Sequence, residues 1–154
     1  MMNVVIGADH GGFELKGKVV SYLEGRGILV SDVGPLTLDP DDDYPDFAAR
    51  VAKAVAKDGS KIGQKSVLGI IICRSAGGVI IAANKIKGVR AVSVYDEKQA
   101  KHARQHNDAN IIGLSGDWTP EAEAKKLIMA ALETPYSNEP RHTRRLKKIA
   151  EMEK

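Results

Sequence analysis

The sequence predicts an α/β fold in which a five-stranded parallel sheet carries helices on both faces and an additional helix follows at the C-terminal end. Three observations predict it. Short apolar runs rich in Val and Ile alternate with longer amphipathic segments, the order that carries a chain through parallel strands and helical crossovers. The run 67–73 (VLGIIIC) has no polar side chain, as a strand buried on both faces requires. Turn formers and helix caps mark the junctions, and right-handed crossovers then place helices on both sides of one sheet.

The elements follow in order. Residues 3–8 form the first strand, and a turn through Asp9 and His10 leads into a helix over 13–26. A strand over 28–33 precedes the acidic stretch 35–43 (PLTLDPDDD), read as an exposed loop, and a helix over 44–57. The Gly/Lys/Ser connection 58–66, also read as exposed, reaches the buried strand 67–73. After a small-residue turn come a helix over 78–85, a strand over 89–94 and a helix over 96–106, where Asp96 and Gln99 have capping-box spacing. A strand over 109–114 feeds a helix over 119–132, with Thr119 as cap, Pro120 in the first turn and Glu121 at the positive end of the dipole. The last helix, 138–154, takes Asn138 as its cap and Leu146 and Ile149 as its apolar side. With no internal repeat or linker, residues 1–154 read as one domain.

Composition narrows the class. Of 154 residues 43% are hydrophobic and 28% charged, with one Cys and a formal charge of +3. A chain of about 150 residues buries roughly 70% of its unfolded surface, so its core needs no disulfide or metal. A single thiol can form neither an internal disulfide nor a zinc cluster. No basic leader precedes the first apolar run, and nothing approaches the roughly 20 apolar residues of a membrane span, so a cytoplasmic protein without a membrane partner is expected. The charge is local: residues 1–140 hold 17 Lys and Arg against 18 Asp and Glu, whereas 141–154 hold 6 against 2. That basic tail has no aromatic residue for stacking, which argues against nucleic acid.

In open parallel sheets ligands sit beyond the carboxyl ends of the strands, which selects residues 7–12, 73–78, 95–96 and 115–118. Neither G-x-G-x-x-G nor G-x-x-x-x-G-K-[ST] occurs, so dinucleotide and P-loop nucleotide sites lose support. The third strand ends on Cys73 where a receiver domain needs an aspartate, and Val79 stands where a small tyrosine phosphatase needs an arginine. His102 and His106 share a helix face at i, i+4 spacing, but no acid or thiol lies near them in sequence and no metal is expected.

There remains Cys73-Arg74-Ser75-Ala76-Gly77-Gly78, a strand entering a helix through a turn whose free N–H groups suit an anion and a thiolate. The same Cys73 also reads as a small hydrophobe ending a core strand. Asp9-His10 reads as a polar pair at a site mouth, or Asp9 as a helix cap. His106-Asn107-Asp108 offers an acid and an amide, or is only a helix end with His106 on the dipole. Arg141, Arg144 and Arg145 form a phosphate clamp or a solvated basic face.

Together, Gly7-Ala8-Asp9-His10-Gly11-Gly12-Phe13 with Leu15-Lys16, Asp43-Tyr44-Pro45, Ala82-Ala83-Asn84-Lys85, Arg90-Ala91, Arg104-Gln105-His106-Asn107-Asp108-Ala109-Asn110 and Arg141-His142 resemble the type B ribose-5-phosphate isomerases, a family that includes galactose-6-phosphate and allose-6-phosphate isomerases. The resemblance spans nearly the whole chain. It implies a Rossmann-like three-layer α/β/α sandwich, working as a dimer or tetramer with active sites shared between subunits and the tail 138–154 packed on a partner. The implied reaction is aldose–ketose isomerisation of a sugar phosphate, ribose 5-phosphate to ribulose 5-phosphate first, through an enediolate and without metal or cofactor. Carried over, Cys73 is the base between C1 and C2, Ser75 the hydroxyl beside it, His106 the ring opener and Asp9 a carboxylate on substrate hydroxyls. Asn107 and the N–H groups of Gly77 and Gly78 would hold the oxyanion, His10, Arg141 and Arg145 the phosphate, and Tyr44 would line the pocket.

Two departures stand out. The family's turn usually reads Cys-Gly-Thr/Ser-Gly-x-Gly, whereas Arg74 and Ala76 here replace glycines that would tolerate positive φ or close approach. Asp117 stands where many members place a phosphate-binding arginine, and Arg74 would restore that charge from the neighbouring loop. These changes keep two other readings open: an isomerase of a hexose 6-phosphate or modified sugar, and an inactive sugar-phosphate-binding subunit.

Overall fold

The computed structural model describes residues 2–59, 61–64 and 66–154. The chain runs β1 (Asn3–Ala8), α1 (Phe13–Gly25), β2 (Val30–Asp32), α2 (Tyr44–Gly59), β3 (Val67–Cys73), α3 (Gly77–Ala83), β4 (Ala91–Ser93), α4 (Glu97–Asn107), β5 (Ile111–Ser115), α5 (Glu121–Glu133) and α6 (Pro140–Met152). The five strands form the single parallel sheet that was expected, and their order is β2-β1-β3-β5-β4.

Strand periodicity sorts the side chains into two cores. Val4, Ile6, Leu68, Ile70, Ile72, Ile112 and Leu114 face one side, where Leu15, Val19 and Leu23 of α1, Ala100 and Ala103 of α4, and Leu127 and Ile128 of α5 meet them. Val5, Ile71, Cys73 and Ile111 face the other, against Ala48, Val51 and Val55 of α2 and Val79 and Ala83 of α3. Each fully buried Ile or Leu contributes about 1.5–3 kcal/mol. The two helical layers follow from crossover handedness: connections that step along the sheet in opposite directions deposit their helices on opposite faces. Between β1 and β3 the direction reverses, which opens a crevice beyond their carboxyl ends. The register Ala8↔Ile72 and Cys73↔Ser115 brings the ends of β1, β3 and β5 to a common edge.

Several boundaries differ from expectation. The edge strands β2 and β4 are three residues each, although Ile28, Val89 and Val94 beside them are buried and the Val94 N–H still donates to Gly113 O at 3.0 Å. Asp96 caps α4 by accepting from the Gln99 N–H at 2.7 Å, while Gln99 Oε1 accepts from Tyr95 N. Thr119 does not cap α5, which begins after an extended Pro120. Asn138 does not cap α6 either: it turns the chain at φ 56, and Pro140 opens the helix. On α6, Leu146 is buried but Ile149 and Met152 are exposed. Ser60 and Lys65 of the connection 58–66 lie outside the described residues. No helix among the described residues is long and apolar enough to cross a membrane.

Candidate active site

The first cluster gathers where β1 and β3 end. Asp9 continues the ladder through its N–H to Ile72 O, and its Oδ1 accepts from the N–H groups of Gly11 (2.9 Å) and Gly12 (3.2 Å). Asp9 therefore closes the turn before α1. Burial pushes its carboxyl up, against the pull of His10 and of those two N–H groups. Beside it, His10 Nδ1 lies 2.7 Å from Asp42 Oδ1, and this bond holds the imidazole above its ordinary range. Asp9, His10 and Asp42 place one potential ligand atom each within 4.8 Å of the others. The 2.7 Å separation inside that group is a proton-sharing distance, so a cation there would have to displace the His10 proton.

On β3, the Cys73 Sγ is buried and accepts from the Ala76 N–H at 3.0 Å. Ala76 reaches that position only by taking φ 66, a left-handed conformation that disfavours an L residue by about 1–2 kcal/mol. The concern raised by the missing glycines thus applies at 76, while Arg74 needs no positive φ. Ser75 Oγ accepts from Gly77 N at 3.2 Å, and the Tyr95 hydroxyl donates to Ser75 O at 2.8 Å. The Tyr44 ring lies directly against Gly78: a Cβ there would fall 2.4 Å from Tyr44 Cζ. Arg74 passes over Gly11, where a Cβ would fall 2.4 Å from its Cγ, and its Nη1 lies 3.5 Å from Asp117 Oδ1.

A second cluster forms where α4 meets α6. His106 Nδ1 lies 2.8 Å from His102 Nε2, and its ring stacks on His142 at 4.2 Å between centroids. Burial, and then His102, His142 and Arg141, push the His106 imidazole down, so it is neutral near pH 7; Glu139 opposes the shift. Arg141 Nε donates to Glu139 Oε2 at 2.9 Å. Asn107 ends α4 beside a cavity shared with Asn84, Leu146, Ile149 and Met152. Among the described residues, no hydrogen bond, ion pair or ring contact joins this cluster to the first.

The chain and its fold have known counterparts. Residues 4–149 match the Ribose/Galactose Isomerase family. The chain belongs to that family. Ribose-5-phosphate isomerase B of Mycolicibacterium paratuberculosis is 39% identical over 153 residues, covering 99% of this chain and 92% of that one. The Escherichia coli ribose-5-phosphate isomerase B is 37% identical, covering 99% and 97%. A crystal structure of ribose-5-phosphate isomerase B from Mycoplasma genitalium with bound ribulose-5-phosphate superposes with a TM-score of 0.91 at 40% identity, covering 99% and 96%.

Within the isomerase family's scaffold, the chain brings together Asp9, His10, Tyr44, Cys73, Arg74, Ser75, Gly77 and Gly78, and separately His106, Asn107 and Arg141. Arg145 is exposed on α6, as is Arg144. Sequence reasoning missed two features. Asp42 falls in the stretch 35–43, which reads as an exposed loop, yet its side chain is only 6% exposed. Asp108 looked like a possible acid, yet it is fully buried and binds Arg104 Nη1 (3.2 Å), Arg90 Nη2 (3.1 Å) and Gly63 N (2.6 Å). Its signal was present as Arg104 at i−4, the helical spacing of an ion pair.

Proposed function

We propose that this protein interconverts ribose 5-phosphate and ribulose 5-phosphate through an enediolate. The observation that carries the reading is a buried thiol under an N–H donor at the end of β3, in a fold matched at TM-score 0.91 to an enzyme crystallised with ribulose-5-phosphate. Cys73 is the base that moves a proton between C1 and C2, and the Ala76 N–H fixes the position of its sulfur. The Gly77 and Gly78 N–H groups face the developing oxyanion; Gly77 must first release the Ser75 hydroxyl. Preorganised donors at that point stabilise the transition state more than the bound sugar. Asp9 binds substrate hydroxyls, Tyr44 lines the pocket, and His10 binds phosphate.

His106 opens the sugar ring, aided by Asn107, and Arg141 and Arg145 reach the phosphate. Their separation from Cys73 within one chain supports a site completed by a second copy, with the 138–154 tail packed on that copy. The reading needs no metal or cofactor. The exposed Arg74–Asp117 pair favours a second possibility, a larger or modified sugar phosphate, because Asp117 adds negative charge at the mouth. Incubating the protein with ribose 5-phosphate in deuterated water tests both. Deuterium entering C2, observed by NMR and lost in Cys73→Ala, supports the pentose reading. Exchange only with a hexose 6-phosphate supports the second, and exchange that persists without the thiol means another base.

A further inference from the structure

Asp42 sits in a run of three aspartates, and its neighbours Asp41 and Asp43 are exposed. Its own side chain is buried against His10, and its Oδ2 has no hydrogen-bond partner among the described residues. The loop that carries it is anchored from below. Lys16, 3% exposed, binds Asp32 Oδ1 at 2.8 Å and Oδ2 at 2.9 Å and donates to Pro35 O at 2.6 Å. Asp42 Oδ1 then accepts twice from His10, from the backbone N–H at 3.1 Å and from Nδ1 at 2.7 Å.

An ionised carboxylate can only accept, so Nδ1 carries a proton in either state of the ring. Protonation therefore changes only Nε2, from a lone pair that repels a phosphate oxygen to an N–H that binds one. We propose that Asp42 is a positioning residue that keeps His10 cationic, so that the ring offers its second N–H to the substrate phosphate. This inference rests on the sugar-phosphate reading.

Of the influences on His10, Asp42 is the largest and favours the cation with Asp9, whereas burial and Arg74 oppose it. A charge buried beside the ring escapes most of the screening that weakens exposed pairs. The same carboxylate also pushes the Asp9 carboxyl up, behind the larger effect of burial. A phosphate monoester becomes a dianion above about pH 6. Affinity should therefore peak between that point and the raised His10 value, and fall as pH rises through the latter.

The test is an NMR titration of the His10 imidazole in the intact protein and in Asp42→Asn, with inorganic phosphate as probe, alongside KM for ribose 5-phosphate across pH. Asparagine can still accept from the ring but carries no charge, so it separates charge from tethering. The intact protein should titrate above 6.5, and phosphate should shift the His10 signals. In Asp42→Asn the titration should move down and KM near pH 8 rise about tenfold, chiefly without loss of kcat. Lowering the pH to about 6 should recover most of the affinity. An unchanged His10 titration, a KM defect that acid does not relieve, or phosphate that leaves His10 unaffected would each overturn the proposal. So would one divalent ion retained per chain and lost in Asp42→Asn. If ribose 5-phosphate is not turned over at all, the isomerase reading fails, while the titration with inorganic phosphate still judges Asp42.

Discussion

Arg90, Arg104 and Asp108 meet in one cluster and Asp9, His10 and Asp42 in another, both built from acids and cationic side chains near strand ends. In the first, the Asp108 carboxylate is fully taken up: Oδ1 by Arg104, Oδ2 by Arg90 and the Gly63 N–H. Burial pulls both guanidinium groups below their usual range, and Asp108 offsets it. In the second, the His10 side chain is 27% exposed and Asp42 keeps an oxygen with no hydrogen-bond partner among the described residues. A carboxylate whose acceptors are all engaged can only hold shape, whereas one with spare capacity can respond to a proton or a ligand. The difference separates architecture from chemistry more clearly than residue type does.

Breaking each side should give different losses. Cys73→Ala should lower kcat by up to about 10⁴-fold with urea unfolding little changed; a comparable kcat would remove the thiol from the mechanism. Asp108→Ala should do the reverse, destabilising the fold by about 3–5 kcal/mol by taking the carboxylate away from the buried Arg104. Chemical denaturation measures this, and a stable variant with a large kcat defect would move Asp108 into the chemistry. Arg74→Ala should raise KM for ribose 5-phosphate by about fivefold, with smaller effect on kcat, since an exposed pair with Asp117 holds Arg74 only weakly. An unchanged KM would show that Arg74 does not serve the phosphate.

The pH profile sharpens the comparison further. Because His106 is held below 6.5, it stays neutral until the solution is more acid than its ordinary range, and the acid limb of kcat/KM should lie there. Removing the repulsion of one neighbour in His102→Gln should raise the His106 titration and carry that limb to higher pH; a limb that does not move would separate His102 from the site. The smallest effect is expected for Ala76→Gly. It relieves the positive φ but deletes a buried methyl and frees the unfolded chain, leaving a net change below about 1 kcal/mol in thermal unfolding.

The sheet was legible because Val67 to Cys73 is apolar at consecutive positions, short and β-branched, the pattern of a doubly covered strand. Helix starts were less legible: Asp96 obeyed its cap signal, but Thr119 and Asn138 did not, because extended backbone at Pro120 and the turn at Asn138 set the entry instead. The Cys73 turn was visible as a motif, yet only the fold shows that Ala76 bends left-handed to put its N–H on sulfur. Asp42 was illegible. In a run of identical acids, the buried one is the one that reaches His10, a contact across 32 residues that no local pattern encodes.

The gap between the Cys73 turn and the His106–His142 stack has a consequence for mixtures of chains. If each working centre takes its thiol from one copy and its imidazole from another, then Cys73→Ala and His106→Ala chains, each inert alone, should regain activity when unfolded and refolded together. A mixed pair would hold one centre with both groups and one with neither. At equal proportions, half of all pairs would be mixed, and the recovered rate would approach a quarter of the original, a ceiling set by counting alone.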